Sequence, residues 1–195
     1  MKIENGFVEE KHLFMRKKMI KQTKVIHIIG TMLAGKSTVI KRIKEEVETS
    51  AFDVWDIDKS FYRPLKIINT EDKFNWDKFH EYKDHIGFAL ELALRQSPYW
   101  FLLLESSGTN KAINFKLHQL KTEGLIEITP VILECPSDKE LKKRARIRGI
   151  DIKSALEFRD IYDEKILSIL SGLDSPPKEM TVEEAVNFIK GQLHE

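Results

Sequence analysis

Cysteine is almost absent from this chain of 195 residues, which has only Cys135. A single cysteine excludes an internal disulfide and indicates a reducing compartment. Cys135 ends an apolar run, a position that favours a buried, inert thiol over a nucleophile. The length suits one domain with a sizeable hydrophobic core.

An excess of charge and a long hydrophobic run are also lacking. The 32 basic residues nearly cancel the 31 acidic ones, for a formal charge of +1, so the overall charge gives no support for attraction to nucleic acid. No segment approaches the length of a transmembrane helix, and the amino terminus has no apolar signal-peptide core. We therefore expect a cytoplasmic protein without a membrane partner.

The amino-terminal part differs in composition from the rest of the chain. Residues 1–23 form a basic extension with apolar side chains near helical spacing between Leu13 and Met19. We expect this extension to be helical, either packed on the domain or docking a partner. Residues 24–195 are expected to form the domain.

The most specific motif is Gly30–Thr38, with the sequence Gly-Thr-Met-Leu-Ala-Gly-Lys-Ser-Thr, which follows the apolar run Val25–Ile29. It fits the Walker A phosphate-loop pattern, which requires a preceding strand and a following helix. Its glycines let backbone amides close on phosphate oxygens, and the helix adds its free amides and positive dipole end. The residues expected to bind nucleotide are Gly30, Thr31, Ala34, Gly35, Lys36, Ser37 and Thr38.

Three side chains of this loop have separate expected roles. Lys36 can reach the terminal phosphates, Ser37 can ligate Mg²⁺, and Thr38 can add a hydroxyl contact. The loop interior, Thr31–Ala34, is more apolar than usual. We expect phosphate binding to be unaffected, because backbone amides make the contacts to phosphate. The apolar side chains are expected to change which residues pack over the loop.

Apolar strands alternate with helices along the chain. The predicted strands are 24–30, 52–57, 99–104 and 128–134; the predicted helices are 38–49, 72–95, 112–123, 137–149, 153–170 and one from Thr181. This alternation predicts a three-layer α/β fold of the P-loop NTPase type, with a parallel sheet of about five strands and helices on both faces. Sites in such folds lie beyond the carboxyl ends of the strands.

Asp56 and Asp58 follow the second predicted strand. They are two residues apart on an extended segment, so both side chains are expected on the same side. Beside a phosphate loop, one carboxylate can hold hydrated Mg²⁺ while the other takes the acceptor proton. The alternative is a solvated Asp-Ile-Asp turn, and the residues after it, 59–70, are predicted to form a loop.

Glu105 ends the third predicted strand, as the acidic residue of a Walker B element does. A carboxylate there is costly unless it meets a metal, water or a base. We therefore expect Glu105 to be a metal ligand together with Ser37 and Asp56. The alternative is that Ser106 or Thr109 satisfies it structurally.

A basic helix follows Ser137, whose spacing to Glu140 is that of a capping box. Its charge run fits a solvated helix face. Arg144 and Arg148 are four residues apart on one face, however, and arginine binds phosphate through a bidentate fork. These two arginines are therefore also candidates for stabilising the transferring phosphoryl group.

The order of motifs along the chain resembles that of the small P-loop kinases. The motifs are the phosphate loop, the Asp-x-Asp, the strand ending in Glu-Ser-Ser-Gly-Thr and the Arg-x-x-x-Arg-Gly. Among these kinases, the chain is most similar to the zeta-toxin-like and polynucleotide 5′-hydroxyl kinases. The resemblance spans about residues 24–165, and only the phosphate loop is individually specific. It implies ATP as donor, Mg²⁺ and a hydroxyl acceptor.

The resemblance also implies roles by position. Asp58 (or Asp56) resembles the catalytic base of those kinases, and Arg148 with Arg144 resembles the arginines of a lid, here near 137–149. Lys36 is expected to be catalytic from the phosphate-loop motif itself. The residues expected to contact the acceptor are Asp58, Arg63, Glu105 and Thr109. Those kinases usually place an arginine three residues after the base, where this chain has Phe61.

Two other functions fit the same motifs. In a nucleoside or nucleotide kinase, Phe61, Tyr62 and Trp76 would stack a base. In a regulatory protein, the loop would bind nucleotide without catalysis. The segment Asn110–Ile113 lacks the aspartate with which a GTPase reads guanine. The acceptor is accordingly a small molecule, a nucleotide or a nucleic-acid end, and no motif specifies it.

Overall fold

The computed structural model describes residues 22–67, 75–97, 99–170 and 178–194. The predicted helical extension, residues 1–23, falls outside these ranges except for its last two residues, as does the side chain of Trp76. Within the described ranges, no helix has the length and apolarity needed to cross a membrane.

Strands and helices alternate as predicted. The strands are β1 (Thr23–Ile29), β2 (Phe52–Asp56), β3 (Phe101–Ser106), β4 (Ile126–Leu133) and β5 (Glu179–Met180). The helices are α1 (Lys36–Glu46), α2 (Trp76–Gln96), α3 (Lys111–Thr122), α4 (Asp138–Arg148), α5 (Ile152–Leu170) and α6 (Val182–Leu193).

The five strands form one parallel sheet in the order β2-β3-β1-β4-β5. Glu105 on β3 lies beside Ile28 of β1 and beside Asp56 of β2 in the register. Parallel strands end at the same edge of the sheet, so the phosphate loop, Asp56 and Glu105 all lie at the carboxyl edge. The predicted parallel sheet is confirmed.

Buried side chains cover the sheet on both faces. On one face, Val25 and Leu102 pack with apolar residues of α2 and α3, including Leu90 and Leu117. On the other face, strand residues pack with α1 and α6; the buried members include Ile26, Ile28, Leu103, Val39, Ile43 and Val186. β1 is buried over most of its length, as expected for a central strand between two helical layers. The predicted three-layer arrangement is confirmed.

The structure differs from the sequence-based prediction at two places. The predicted loop 59–70 begins instead inside a π-helical turn, Asp58–Tyr62. Asp56 stabilises the start of that turn because its Oδ1 accepts hydrogen bonds from the backbone N–H groups of Asp58 and Lys59, at 3.0 and 3.2 Å. The strand β5 was also missed because its two residues carry no hydrophobic pattern; pairing with Ile132 and Leu133 creates it.

The helix starts predicted at Ser137 and Thr181 are confirmed, since these residues are the N-caps of α4 and α6. Thr181 and Glu184 form the complete capping box of α6. Ser137 Oγ accepts from the N–H of Glu140 at 3.4 Å, so the cap of α4 is present. The carboxylate of Glu140 binds Arg144 instead of returning to the cap.

Candidate functional site

The phosphate loop joins β1 to α1 at the carboxyl edge of the sheet. Gly35 has a φ of 109°, and a Cβ built there would lie 2.7 Å from Val182 Cγ2. Only glycine therefore fits this position, since a side chain would meet both a steric clash and an unfavourable backbone conformation. Thr31 is fully buried, and its Oγ1 has no hydrogen-bond partner among the described residues.

Lys36 is the cation at the centre of the site. Its Nζ donates to the carbonyl oxygens of Gly30 and Thr31, at 2.9 and 3.0 Å. Burial lowers the pKa of Lys36, and the charges of Glu105, Asp58 and Asp56 oppose that shift. The structure thus brings the predicted lysine together with all three predicted carboxylates.

Glu105 lies against the phosphate loop. Ser37 Oγ donates to Glu105 Oε1 at 3.0 Å, and the Glu105 side chain is buried. Burial raises the pKa of Glu105, while the charge of Lys36 and the bond from Ser37 oppose the shift. Two of the predicted metal ligands are therefore adjacent, and the third, Asp56, is the register neighbour of Glu105.

The two aspartates have different environments. Both carboxylate oxygens of Asp56 are engaged. Oδ1 accepts hydrogen bonds from two backbone N–H groups of the π-helical turn, and Oδ2 pairs with Lys59 Nζ at 2.6 Å. Among the described residues, none forms a hydrogen bond or ion pair with the carboxylate of Asp58. Asp58 is exposed as a residue, but the protein around its carboxylate limits hydration and raises its pKa; the charge of Asp56 adds to the shift, and Lys36 and Arg63 oppose it.

The two other residues predicted to contact the acceptor are Arg63 and Thr109. Arg63 is exposed at the end of the π-helical turn, and its charge reaches Asp58. Thr109 Oγ1 is hydrogen-bonded to Ser107 Oγ at 2.8 Å. The structure therefore keeps Arg63 beside the aspartates, whereas the hydroxyl of Thr109 is engaged within its own loop.

The two predicted phosphate-binding arginines also differ. Arg148 is exposed at the end of α4, and its charge is close enough to Lys36 to lower the pKa of that lysine. Arg144 is half-buried, with Nη1 donating to the carbonyl of Leu33 at 2.8 Å and Nε donating to Glu140 at 2.8 Å. Only Arg144 is bonded to the phosphate loop itself.

Sequence reasoning missed several residues that hold the site in place. Lys59 neutralises Asp56. Asn110 Oδ1 accepts from the first turn of α3, and its Nδ2 donates to the buried Tyr62 hydroxyl at 2.6 Å. The position of Asn110 immediately before a helix was the available signal for the cap. Tyr62 belongs to the core, so the suggestion that it stacks a base is wrong.

The loop after β3 is fixed by a second buried contact. His27 Nε2 and Ser106 Oγ are 2.7 Å apart between β1 and β3, and Ser106 Oγ also accepts from the N–H of Gly108 at 2.9 Å. Gly108 has a φ of 75°, and a Cβ there would lie 2.5 Å from Ile29. The loop that follows β3 and carries Thr109 is thereby held against β1.

The sequence matches no protein-family model and no curated protein. Solved structures do match it. The tunicamycin resistance protein of Deinococcus radiodurans is 18% identical, with a TM-score of 0.55 over 88% of this chain and 96% of that one. The APS kinase of Mycobacterium tuberculosis, solved with AMPPNP and APS, is 14% identical, with a TM-score of 0.51 over 89% of this chain and 99% of that one.

A third match is the deoxyadenosine kinase of M. mycoides with bound dATP. It is 14% identical, with a TM-score of 0.50 over 88% of this chain and all of that one. Because the sequence identities to these three structures are low, the structural similarity shows a shared fold alone. Together with the parallel sheet and the loop between β1 and α1, it shows that the chain has the P-loop NTPase fold.

Proposed function

We propose that this chain is an ATP-dependent kinase that transfers the γ-phosphoryl group of ATP to a hydroxyl acceptor. One observation carries the proposal: the half-buried Lys36 is bonded to the carbonyls of Gly30 and Thr31 in the phosphate loop and lies close enough to Glu105, Asp58, Asp56 and Arg148 for their charges to act on it. These residues come from separate parts of the chain that the fold brings to the carboxyl edge of the sheet. A phosphate-binding cation, several carboxylates and a nearby arginine are what phosphoryl transfer requires.

The donor is held by the loop and by two cations. Backbone N–H groups of the loop and the amino-terminal end of α1 bind phosphate oxygens. Lys36 exchanges its bonds to the Gly30 and Thr31 carbonyls for bonds to the phosphates. The exposed Arg148 stabilises the charge that develops on the transferring group, because its guanidinium can donate two parallel hydrogen bonds.

The oxygen donors beside the loop fit Mg²⁺. Ser37 and Glu105 are already in contact, and Asp56 is the register neighbour of Glu105. No cluster of three or more His, Cys, Asp or Glu side chains able to hold a metal occurs among the described residues. Mg²⁺ uses one or two protein carboxylates together with phosphates and water, so such a cluster is not required. When bound, Mg²⁺ neutralises phosphate charge.

Asp58 is the proposed base. No described residue occupies its carboxylate, whereas Asp56 is bonded to Lys59 and to two backbone amides. The raised pKa of Asp58 makes it a better proton acceptor than an ordinary aspartate. Asp58 accordingly takes the proton of the acceptor hydroxyl, and Arg63 lies beside it for acceptor contact.

Within the P-loop kinases, we further propose the zeta-toxin-like and polynucleotide 5′-hydroxyl kinase branch. The motifs that support this assignment are the Asp-x-Asp after β2 and the Arg-x-x-x-Arg-Gly at the end of α4, a helix proposed as the lid. The acceptor is then a nucleic-acid 5′ end or a small metabolite.

A transfer assay with labelled ATP tests the function. Suitable acceptors are a 5′-hydroxyl oligonucleotide, deoxyadenosine, APS and tunicamycin, the last three suggested by the structural neighbours. We expect transfer to one of them, lost in Lys36→Ala and retained in Lys41→Ala, since Lys41 is exposed and pairs only weakly with Glu45. Nucleotide binding without transfer to any hydroxyl would favour the regulatory alternative. Absence of nucleotide binding would contradict both functions.

A further inference from the structure

Leu33 occupies an unfavourable backbone conformation in the phosphate loop. Its φ is 66°, and among the described residues the only other non-glycine residue with a positive φ is Lys66. The left-handed region brings the Cβ of an L-residue close to the following carbonyl oxygen, so glycine is preferred there. A leucine at this position needs a compensating interaction elsewhere.

The compensation comes from α4 and α5. The side chain of Leu33 is 6% exposed and packs in a buried cluster with Leu141, Ala145 and Ala155. Partly buried residues surround that cluster, namely Met32, Ile150, Ile152 and Leu156. The apolar interior of the loop, which phosphate binding does not require, thus packs against these two helices.

Arg144 adds a polar connection at the same place. Its guanidinium bridges the carbonyl of Leu33 and the carboxylate of Glu140. The first partner belongs to the phosphate loop and the second lies one turn earlier on α4. The planar fork of arginine fixes both directions at once, so Arg144 holds the loop backbone and α4 in one relative orientation.

We propose that Leu33 and Arg144 couple the phosphate loop to α4 and α5, so that the loop conformation that binds phosphate depends on these helices being docked. The proposal rests on the proposed function. In it, Arg144 is a positioning residue that acts through the loop backbone, and Arg148 is the arginine that contacts phosphate.

The coupling follows from the contacts. When α4 moves away, Leu33 loses its apolar partners and its carbonyl loses the Arg144 donor, so nothing offsets its backbone conformation. The loop then relaxes, and the amides of Gly35 and Lys36 no longer converge on one anion. Coupling between two sites is reciprocal, so nucleotide on the loop also favours the docked helices.

Hydrogen exchange on the nucleotide-free protein tests the coupling directly. We expect Arg144→Gln, a change on α4, to speed exchange of the loop amide of Ala34, which is bonded to the Thr31 carbonyl, by roughly fivefold or more, the lower range of allosteric coupling. We expect Leu33→Gly, a change in the loop, to speed exchange across α4 by a similar factor. Leu33→Gly removes the anchor while accepting the positive φ, so it does not strain the backbone.

Three controls accompany these variants. Arg146→Gln removes an exposed charge from the same helix and should leave loop exchange unchanged. Leu33→Met keeps an apolar side chain of similar volume and should retain slow exchange in α4. Exchange in α2 and α3 reports whether the rest of the fold is intact.

Wild-type exchange rates in the loop of Arg144→Gln, or in α4 of Leu33→Gly, would overturn the coupling. An Arg144 that only clamps bound phosphate would give that result, because no nucleotide is present. Binding of AMPPNP is measured in parallel. Failure of the wild-type protein to bind it would contradict the proposed function, and unchanged exchange in a protein that does bind it would contradict the coupling alone.

Discussion

Asp56 and Asp58 are two residues apart and yet have different chemistry. Asp56 is tied to Lys59 and to the first amides of the π-helical turn. Asp58 has no such partner among the described residues, and its pKa is raised by partial desolvation of the carboxylate and by the charge of Asp56. The carboxylate of Asp56 is thus engaged by an ion pair and backbone hydrogen bonds, and that of Asp58 is available to accept a proton.

Replacement of the proposed base tests this division of roles. Asp58→Asn should lower kcat by on the order of a hundredfold or more, with affinity for AMPPNP nearly unchanged, because an amide cannot accept the proton. Steady-state kinetics and a separate binding measurement check both parts. A collapse of nucleotide affinity with kcat retained would instead assign Asp58 to the metal and Asp56 to the base.

The pH dependence of turnover gives an independent check. The ionised form of Asp58 is the active one, so activity is lost as pH falls through its raised pKa. The acid limb should therefore lie above the ordinary value of 3.8. In Asp56→Asn the neighbouring negative charge is gone, and the limb should move to lower pH. A limb that moves upward in that variant would contradict the assignment.

At the scale of elements, the junction of β1 and β3 depends on a neutral histidine. His27 is buried against Ser106, and burial lowers its pKa to about 4. In the unfolded chain, histidine takes up a proton near pH 6.5. Between these values the unfolded state binds more protons than the native state, so stability falls as pH falls.

Protonation of His27 should therefore account for part of the loss of folding stability at acid pH. Its contribution is a loss of about 1.4 kcal/mol per pH unit, or on the order of 3 kcal/mol from pH 6.5 to 4. Urea unfolding at several pH values should show this slope in the wild type and a shallower one in His27→Gln. Equal slopes in the two proteins would mean that His27 does not titrate as its burial implies.

The proposed lid helix α4 also carries its own prediction. Arg148→Lys keeps the positive charge but loses the bidentate fork, so it should lower kcat more than it lowers nucleotide affinity. Arg146→Lys is the matched control, because Arg146 points to a different face of α4. Equal effects of the two substitutions on kcat would mean that the basic run is only a solvated surface.

At the scale of the whole molecule, a ligand bound at the phosphate loop should stabilise the fold. AMPPNP with Mg²⁺ at a hundredfold excess over its Kd contributes about 2.7 kcal/mol. For a chain of this size, that raises Tm by roughly 5–10 °C. Thermal unfolding should show the shift in the wild type, a smaller shift after chelation of Mg²⁺ and none in Lys36→Ala. A full shift in Lys36→Ala would place the nucleotide elsewhere.

Much of the fold could be predicted because its signals are local. An apolar run predicts β1, and two glycines and a lysine predict the phosphate loop after it. Phosphate binding relies on backbone amides, which any such loop supplies. The strand ends that carry Asp56 and Glu105 were also predictable, since parallel strands end at one edge. By contrast, the two-residue β5 and the π-helical turn carry no pattern, and pairing and the Asp56 cap create them.

The sequence alone determined the kind of loop, the alternation of strands and helices and the acidic residues beside the loop, because each depends on neighbours in the chain. Only the tertiary structure decided which groups meet. Arg144 and Leu33 are 111 residues apart, so their sequence spacing gives no sign that one arginine of α4 bonds the loop backbone while the other stays exposed. That outcome depends on how α4 and α5 pack over the loop, a long-range arrangement set by the burial of Leu33.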